Sequence, residues 1–330
     1  LKTSASRIKS KLHFNSVLPK AMDFENSILI YDRVLEKKFG SWIRRFEKRH
    51  RVSSGESLKA IENFARHVRT LTELSSGAGV RDLQIVAFGG GSVGDFAGFV
   101  ASTFKRGVRL VHVPSTWLSA IDSAHGGKTA LNVGGIKNQI GTFYEASDVY
   151  MCRQVLLTQG QQRFEDAKAE AAKVALLNSP RLWKQVQRIQ SGSQLFEHLP
   201  GLVKAKLKIV TQDPQEKLGV RHLLNFGHTL GHVFESALGM SHGRAISLGL
   251  RFALSWSGAK LGDQVWGLAP PSELRAALLK LKNPVRFLAQ DKKLVSKKRI
   301  RFIFLTRPGY PVIREVSISE ILAEIERQRG

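Results

Sequence analysis

The chain has 330 residues, 42% hydrophobic and 24% charged, a balance that fits one large or two ordinary globular domains and excludes disordered, collagen-like and repeat architectures. Its 51 Lys and Arg outnumber 27 Asp and Glu to give a net charge of +24, but the cations are scattered and lack interleaved aromatic platforms, which argues against a nucleic-acid binder. No apolar run reaches the roughly 18 residues of a membrane span, and the single Cys152 excludes an internal disulfide and a Cys-rich metal site and fits a reducing, cytoplasmic home.

The basic N-terminal stretch LKTSASRIKSKLHF lacks the apolar centre of a secretory signal and reads as a solvated tail. Ser27–Tyr31 is a short apolar run suited to a buried strand, closed by Asp32. Leu58–Leu74 carries apolar residues at helical spacing. Gln84–Phe88 predicts a strand, Val93–Phe104 a helix and Val108–Val113 a further strand ended by Pro114. Such alternation implies a parallel sheet covered by helices. From about Gln159 the spacing turns mostly helical, with segments near 164–177, 200–211, 222–238, 243–260, 271–281 and 317–328. One β-like interruption stands at Ile300–Leu305. The chain is therefore read as α/β: a parallel-sheet domain over 1–158, then a mostly α-helical domain over 159–330.

Gly89-Gly90-Gly91-Ser92-Val93-Gly94-Asp95 follows a strand and opens a helix, a setting in which backbone N–H groups approach a phosphate. It lacks the G-x-G-x-x-G spacing of the common dinucleotide fingerprint. Asp32 is placed either to accept ribose hydroxyls or to cap a turn. His228 and His232 are four residues apart and share a helical face, so spacing alone makes them joint metal ligands or a hydrogen-bonded pair. His242 adds a third imidazole, and three histidines with a carboxylate would suit a catalytic zinc, although spacing does not name the carboxylate. The segments Asp122–Lys128 and Gly135–Asn138 read as polar, glycine-containing loops that each offer a cation to an anion.

Together these motifs resemble the 3-dehydroquinate synthase family. GGGSVGDFAGFVAST, KRG, VPSTWL, DSAHGGKT and GGIKNQIGTFY are similar, in order, to its N-terminal half. LLNFGHTLGHVFES and SHGRAISLGL are similar to its metal-binding segments, and SGESLK to its nucleotide contact. The likeness runs from about Asp32 to about Lys293. It implies a Rossmann-like NAD-binding domain followed by a helical zinc and substrate domain. The implied activity is a lyase-type cyclisation of 3-deoxy-arabino-heptulosonate 7-phosphate to 3-dehydroquinate and phosphate. That step belongs to the shikimate pathway to chorismate and aromatic amino acids.

The resemblance also implies residue roles. NAD would lie on Gly89, Gly90, Gly91, Ser92 and Asp95, with Asp32, Glu56, Lys59, Ser115, Thr116, Asp122, Lys128 and Lys137 about it. Zinc, or cobalt in its place, would be held by Glu170, His228 and His242, which moves His232 to the substrate side. Lys128, Asn138, Asn225 and His232 would hold the substrate phosphate, joined by Arg106 from a second subunit of a homodimer. Lys206 and Arg221 would hold the substrate carboxylate, and Asp122, Lys173 and Lys292 would complete the pocket. Arg244 stands where the family has Glu, Trp117 where it has Leu, and His125 is unusual in its loop. A sister cyclase of neutral sugar phosphates and an NAD-dependent metal alcohol dehydrogenase are the rival enzymes. Neither a nucleic-acid nor a membrane partner is expected.

Overall fold

Two apolar runs, Ser27–Asp32 (β2) and Gln84–Gly89 (β4), are buried along their whole length and are adjacent inner strands of a six-stranded parallel sheet. Burial on both faces is why they read as unbroken apolar runs rather than as alternation. The computed structural model describes residues 10–20, 22, 24–76, 82–260, 262–288, 294–296 and 299–330. These divide into two compact units, Leu1–Gly160 and Gln161–Gly330.

In the first unit β1 (Lys11–Asn15), β2, α1 (Glu36–Ile43), β3 (Lys48–Val52), α2 (Ile61–Leu74), β4, α3 (Gly91–Thr103) and β5 (Arg109–Pro114) follow in turn. An antiparallel hairpin of β6 (Lys128–Val133) and β7 (Ile136–Phe143) comes next, then β8 (Asp148–Cys152) and α4 (Arg153–Leu156). The sheet order is β1-β8-β5-β4-β2-β3, every pairing parallel. The chain goes outward from β2 to β3 and returns to place β4 on the other side of β2. The order therefore reverses between β2 and β4, and ligands of open parallel sheets bind beyond the carboxyl ends of strands at such a reversal. Tyr31 pairs with Phe88, so Asp32 and Gly89 are neighbours at that end. Leu29, Tyr31, Phe39, Trp42, Phe46, Phe88, Val111 and Val113 belong to one apolar cluster.

The predicted helix from Leu58 begins instead at Ile61, because Glu56–Lys59 forms a 3-10 turn. Of the two segments read as polar loops, Asp122–Lys128 runs from the π-helical turn Ser119–Ser123 through a loop over 124–127 to the start of β6, and Gly135–Asn138 runs from the hairpin turn into β7. Lys128 opens β6, and Lys137 and Asn138 lie on β7. The hairpin escapes a periodicity reading because β7 is exposed on both faces except at Thr142. β1 and β3 escape it because KLHFN and KRHRV are too charged to announce a strand.

The second unit holds α5 (Gln161–Asn178), α6 (Pro180–Val186), α7 (Gly192–Val210), α8 (His228–Leu238), α9 (His242–Trp256), α10 (Pro271–Lys280), α11 (Pro284–Leu288) and α12 (Ile318–Arg329). Between α11 and α12 stand β9 (Leu294–Ser296), β10 (Arg299–Leu305) and β11 (Pro311–Ser317), an antiparallel sheet rather than a single strand. The helix predicted over 222–238 begins at His228, after a 3-10 segment Val220–Asn225 and Gly227 in the left-handed region. The helix predicted over 200–211 starts earlier and carries Pro200 inside it. Phe252 and Trp256 of α9 pack edge-on against Phe302 of β10, and this seam anchors the helix that begins with His242. Among the described residues no helix is long and apolar enough to cross a membrane.

Candidate active-site residues

In the first unit the glycine loop ends β4 and caps α3, with Gly90 at the N-cap. The triplet is needed for room rather than for handedness. A Cβ on Gly89 would stand 2.5 Å from Cβ of Val93, so a side chain there would push the helix off the strand. The first amides of α3 are left facing outward, the arrangement that binds anionic groups. Ser115 N donates to Gly89 O (2.8 Å), fixing the strand ends side by side. Thr116 Oγ1 accepts from Ser119 N and starts the π-helical turn that carries Asp122. His125 Nε2 donates to Ala120 O (2.8 Å) and Trp117 is buried in the core, so both departures from the family pattern are structural. Asp32 Oδ1 accepts from Val34 N (3.3 Å), which is a capping role.

Lys59 is the hub of this region. It is buried, and its Nζ donates to Asp95 Oδ2 (2.6 Å) and Asn138 Oδ1 (2.5 Å). Asn132 Nδ2 donates to Glu56 Oε2 (2.7 Å), Asn132 Oδ1 accepts from Asn138 N (2.9 Å), and Lys137 pairs with Glu56 at 3.6 Å. Gly55 N donates to Ser92 Oγ (3.0 Å). Glu56, Lys59, Ser92, Asp95, Lys137 and Asn138 are thereby drawn into one network. Burial raises the Asp95 carboxyl above its ordinary value, with Lys59 opposing and Asp122 adding to the rise. Lys128 is exposed at the start of β6. Arg106 is exposed on the bend after α3, where Lys105 and Arg106 both take left-handed φ values of 48° and 68°.

In the second unit Glu170, His228 and His242 converge, with one ligand atom from each lying within 4.8 Å of the others. They come from α5 and from the first residues of α8 and α9. Glu170 Oε1 is 3.4 Å from His228 Nε2 and 3.3 Å from His242 Nε2. A tetrahedral zinc with bonds of about 2.0–2.1 Å spaces its ligands by about 3.3–3.4 Å. The outer nitrogens are held as well: His228 Nδ1 donates to Phe226 O (3.1 Å), and His242 Nδ1 donates to Glu235 Oε2 (3.1 Å). Burial, aided by Lys173, lowers His228 to about 4, so it is neutral with Nε2 beside the Glu170 carboxylate. Burial would lower His242 too, but its bonds to Glu170 and Glu235 prevail and raise it to about 10, so without metal a proton bridges it to Glu170. Burial pushes Glu170 up, and Lys173 with the two histidines outweighs it, holding the carboxyl well below the usual range. The set fits a zinc or cobalt centre with an open position.

His232 lies one helical turn from His228, ring centroids 5.4 Å apart, and outside the ligand cluster. Lys173 Nζ is 2.5 Å from Glu170 Oε2, both side chains buried. Lys206 is buried on α7, which packs on the 3-10 segment bearing Arg221 and Asn225. Arg221 is buried, with Nη1 donating to Pro214 O (2.8 Å). Asn225 Nδ2 lies 3.4 Å from His222 Nδ1. Lys292 falls outside the described residues. Arg244 is ion-paired to Glu273 of α10, so its charge is engaged by a carboxylate.

Three residues that shape the site were not singled out by sequence reasoning. Asp213 is buried, and burial pushes its carboxyl up, but backbone N–H donors from Leu218, Arg221, Lys217 and Gly219 hold it below its ordinary value. It pins the loop that delivers Arg221, and Asp-Pro at 213–214 is the turn signal that marks it. Asp166 accepts from Ser241 Oγ (2.6 Å), the N-cap of α9, and so fixes the residue before His242. Glu235 is seven residues after His228, on the same helical face.

Comparison with known proteins shows the family. Family models described as 3-dehydroquinate synthase N-terminal and C-terminal match residues 49–166 and 167–297. A 3-dehydroquinate synthase of Dehalococcoides mccartyi strain 195 is 33% identical over 340 residues, covering 95% of this chain and 92% of that protein. Among solved structures, 2-epi-5-epi-valiolone synthase of Streptomyces hygroscopicus with NAD+ and Zn2+ bound has a TM-score of 0.80 at 21% identity, covering 99% of this chain and 98% of its own. A 2-deoxy-scyllo-inosose synthase complexed with carbaglucose-6-phosphate, NAD+ and Co2+ has a TM-score of 0.76 at 23% identity, covering 92% and 91%. The two structures share the fold. With the family matched in both halves and a relative matched over nearly its full length, the chain belongs to the 3-dehydroquinate synthase family.

Proposed function

We propose that this chain is a 3-dehydroquinate synthase, converting 3-deoxy-arabino-heptulosonate 7-phosphate to 3-dehydroquinate and phosphate. The observation that carries the reading is the cluster of Glu170, His228 and His242, with both histidines held through Nδ1, in a chain of this family. Zinc or cobalt, when bound there, supplies a Lewis acid for adjacent substrate hydroxyls, and NAD+ supplies a hydride acceptor that later returns the hydride. The outward amides of α3 with Gly89, Gly90, Gly91 and Ser92 receive the NAD pyrophosphate, and Asp32 with Glu56 accepts its hydroxyls. Lys59 and Asp95 keep α3 and the hairpin in place beside it, with Ser115, Thr116, Asp122 and Lys137 alongside.

The substrate carries a phosphate and a carboxylate, and each needs fixed cations. Lys128, Asn138, Asn225 and His232 take the phosphate. Lys206 and Arg221 take the carboxylate; both are buried, so their charges are strong and little screened. Lys173 offsets the Glu170 charge and stands ready to hold a substrate oxygen. Lys292 adds a further cation. Arg106, exposed on the bend after α3, serves the phosphate of a second copy in a homodimer. A cytoplasmic setting suits a chain with a single cysteine, Cys152. The protein's contribution is positioning and charge stabilisation.

The test is incubation with NAD+, zinc and the heptulosonate phosphate, measuring dehydroquinate and phosphate together, with and without chelator. Equal, chelator-sensitive release without lasting NADH is expected. Lasting NADH would indicate a dehydrogenase instead, and no product from zinc-loaded protein would overturn the reading.

A further inference from the structure

We infer that Glu235 is a positioning residue for the metal centre, holding His242 in the orientation and tautomer in which Nε2 is the ligand nitrogen. The inference rests on the reading of Glu170, His228 and His242 as metal ligands. Glu235 Oε2 accepts from His242 Nδ1 at 3.1 Å, while His242 Nε2 points at Glu170 Oε1 at 3.3 Å. An imidazole whose Nδ1–H is engaged by an acceptor presents a bare lone pair at Nε2, and an outer carboxylate also makes that nitrogen a stronger donor.

The two histidines have different needs. The outer nitrogen of His228 is fixed by a main-chain acceptor two residues away, Phe226 O, at the start of its own helix. The corresponding nitrogen of His242 is engaged instead by a side chain, that of Glu235. It opens α9, its side chain is 37% exposed, and the carboxylate that turns it comes from α8. His228, His232 and Glu235 follow one another at helical spacing, so α8 presents one ligand and also the group that orients the ligand on the next helix. Glu235 is itself only 26% exposed at the side chain. It touches neither substrate nor reacting atoms in this role.

The experiment uses the full chain and Co2+ alone as probe, read by visible absorption and by competition with Zn2+. Wild type, Glu235→Gln, Glu235→Ala and His242→Ala are compared, with the thermal midpoint of each metal-free chain as a folding control. Loss of an outer partner weakens metal affinity about 10- to 100-fold. Glu235→Ala is expected to fall in that range and to change the cobalt band shape, a loss larger than the modest drop in metal-free midpoint that follows from losing the His242–Glu235 bond. Glu235→Gln, whose amide oxygen still accepts from Nδ1–H, is expected to recover most of the affinity. His242→Ala is expected to lose the band. Wild-type affinity and band shape in Glu235→Ala would overturn the inference alone, and so would an affinity loss matched by an equal loss in metal-free stability in both Glu235 variants. A wild-type chain that takes up no Co2+ would overturn the metal reading, and this inference with it.

Discussion

A Cβ atom placed on Gly243 would stand 2.2 Å from the carbonyl oxygen of Asp166. The backbones of α5 and α9 therefore touch one residue after His242 and four residues before Glu170. Gly243→Ala must part the two helices, and overpacking of this kind costs about 1–3 kcal/mol. The separation also pulls Glu170 from His242. The expected result is a lower thermal midpoint together with metal affinity reduced at least tenfold, measured by chelator competition.

Lys173 and Glu170 form a buried ion pair, and removing one member of such a pair costs about 3–5 kcal/mol because the other charge is left uncompensated. Lys173→Met is expected to lose that much in the metal-free chain. Bound zinc is a substitute cation for Glu170, so the loss should shrink when metal is present. Denaturation with and without zinc checks this, and an equal loss in both conditions would contradict it.

The pH dependence follows from His242, raised from 6.5 to about 10 in the metal-free chain. A group with a raised folded pKa contributes stability that is complete below the unfolded value and is lost as pH rises through the folded one. Metal-free protein should therefore weaken between about pH 6.5 and pH 10. His228, already neutral above about 4, adds nothing in that window. Zinc must displace the His242 proton, so uptake at pH 8 should release about one proton from this residue. Calorimetry in two buffers of different ionisation enthalpy measures it.

Lys59 lies between Asp95 and Asn138. Lys59→Met leaves the Asp95 carboxylate without its cation and unties α3 from the hairpin. The expected outcome is a large loss of NAD affinity with metal affinity unchanged, read by titrating each ligand separately. Equal losses for both ligands would mean a general unfolding instead.

Arg244→Glu restores the family's residue but sets two carboxylates face to face, since Arg244 pairs with Glu273. Both side chains are partly exposed, at 46% and 40%, and pairs of that kind are worth about 0–1 kcal/mol. Stability should change by no more than that, and metal affinity by less than about threefold.

Local patterns were legible in the sequence, and long-range ones were not. The glycine loop announces itself because strand, turn and helix are contiguous. His228 and His232 announce a helical face, and spacing alone would make both of them ligands. The third member of the cluster, Glu170, sits on a separate helix and is reached only through the family resemblance. β7 was invisible because an exposed hairpin strand needs no apolar alternation, and Asp213 because a carboxylate that holds only backbone amides leaves no partner side chain to notice. Glu235 lies seven residues after His228, a helical spacing visible in the sequence, but its bond to His242 is a contact between helices.

The hub at Lys59 joins residues 36 and 79 positions further along the chain. During synthesis Lys59 emerges before β4 and β5, and its partner Asn138 only after them. Contacts of such separation close late, after the loop entropy between them has been overcome. A newborn chain that has not yet paired its hairpin has the glycine loop but not the network that steadies it. Nucleotide capture should thus be among the last properties the first unit acquires, and a released fragment lacking β7 should be blind to the cofactor.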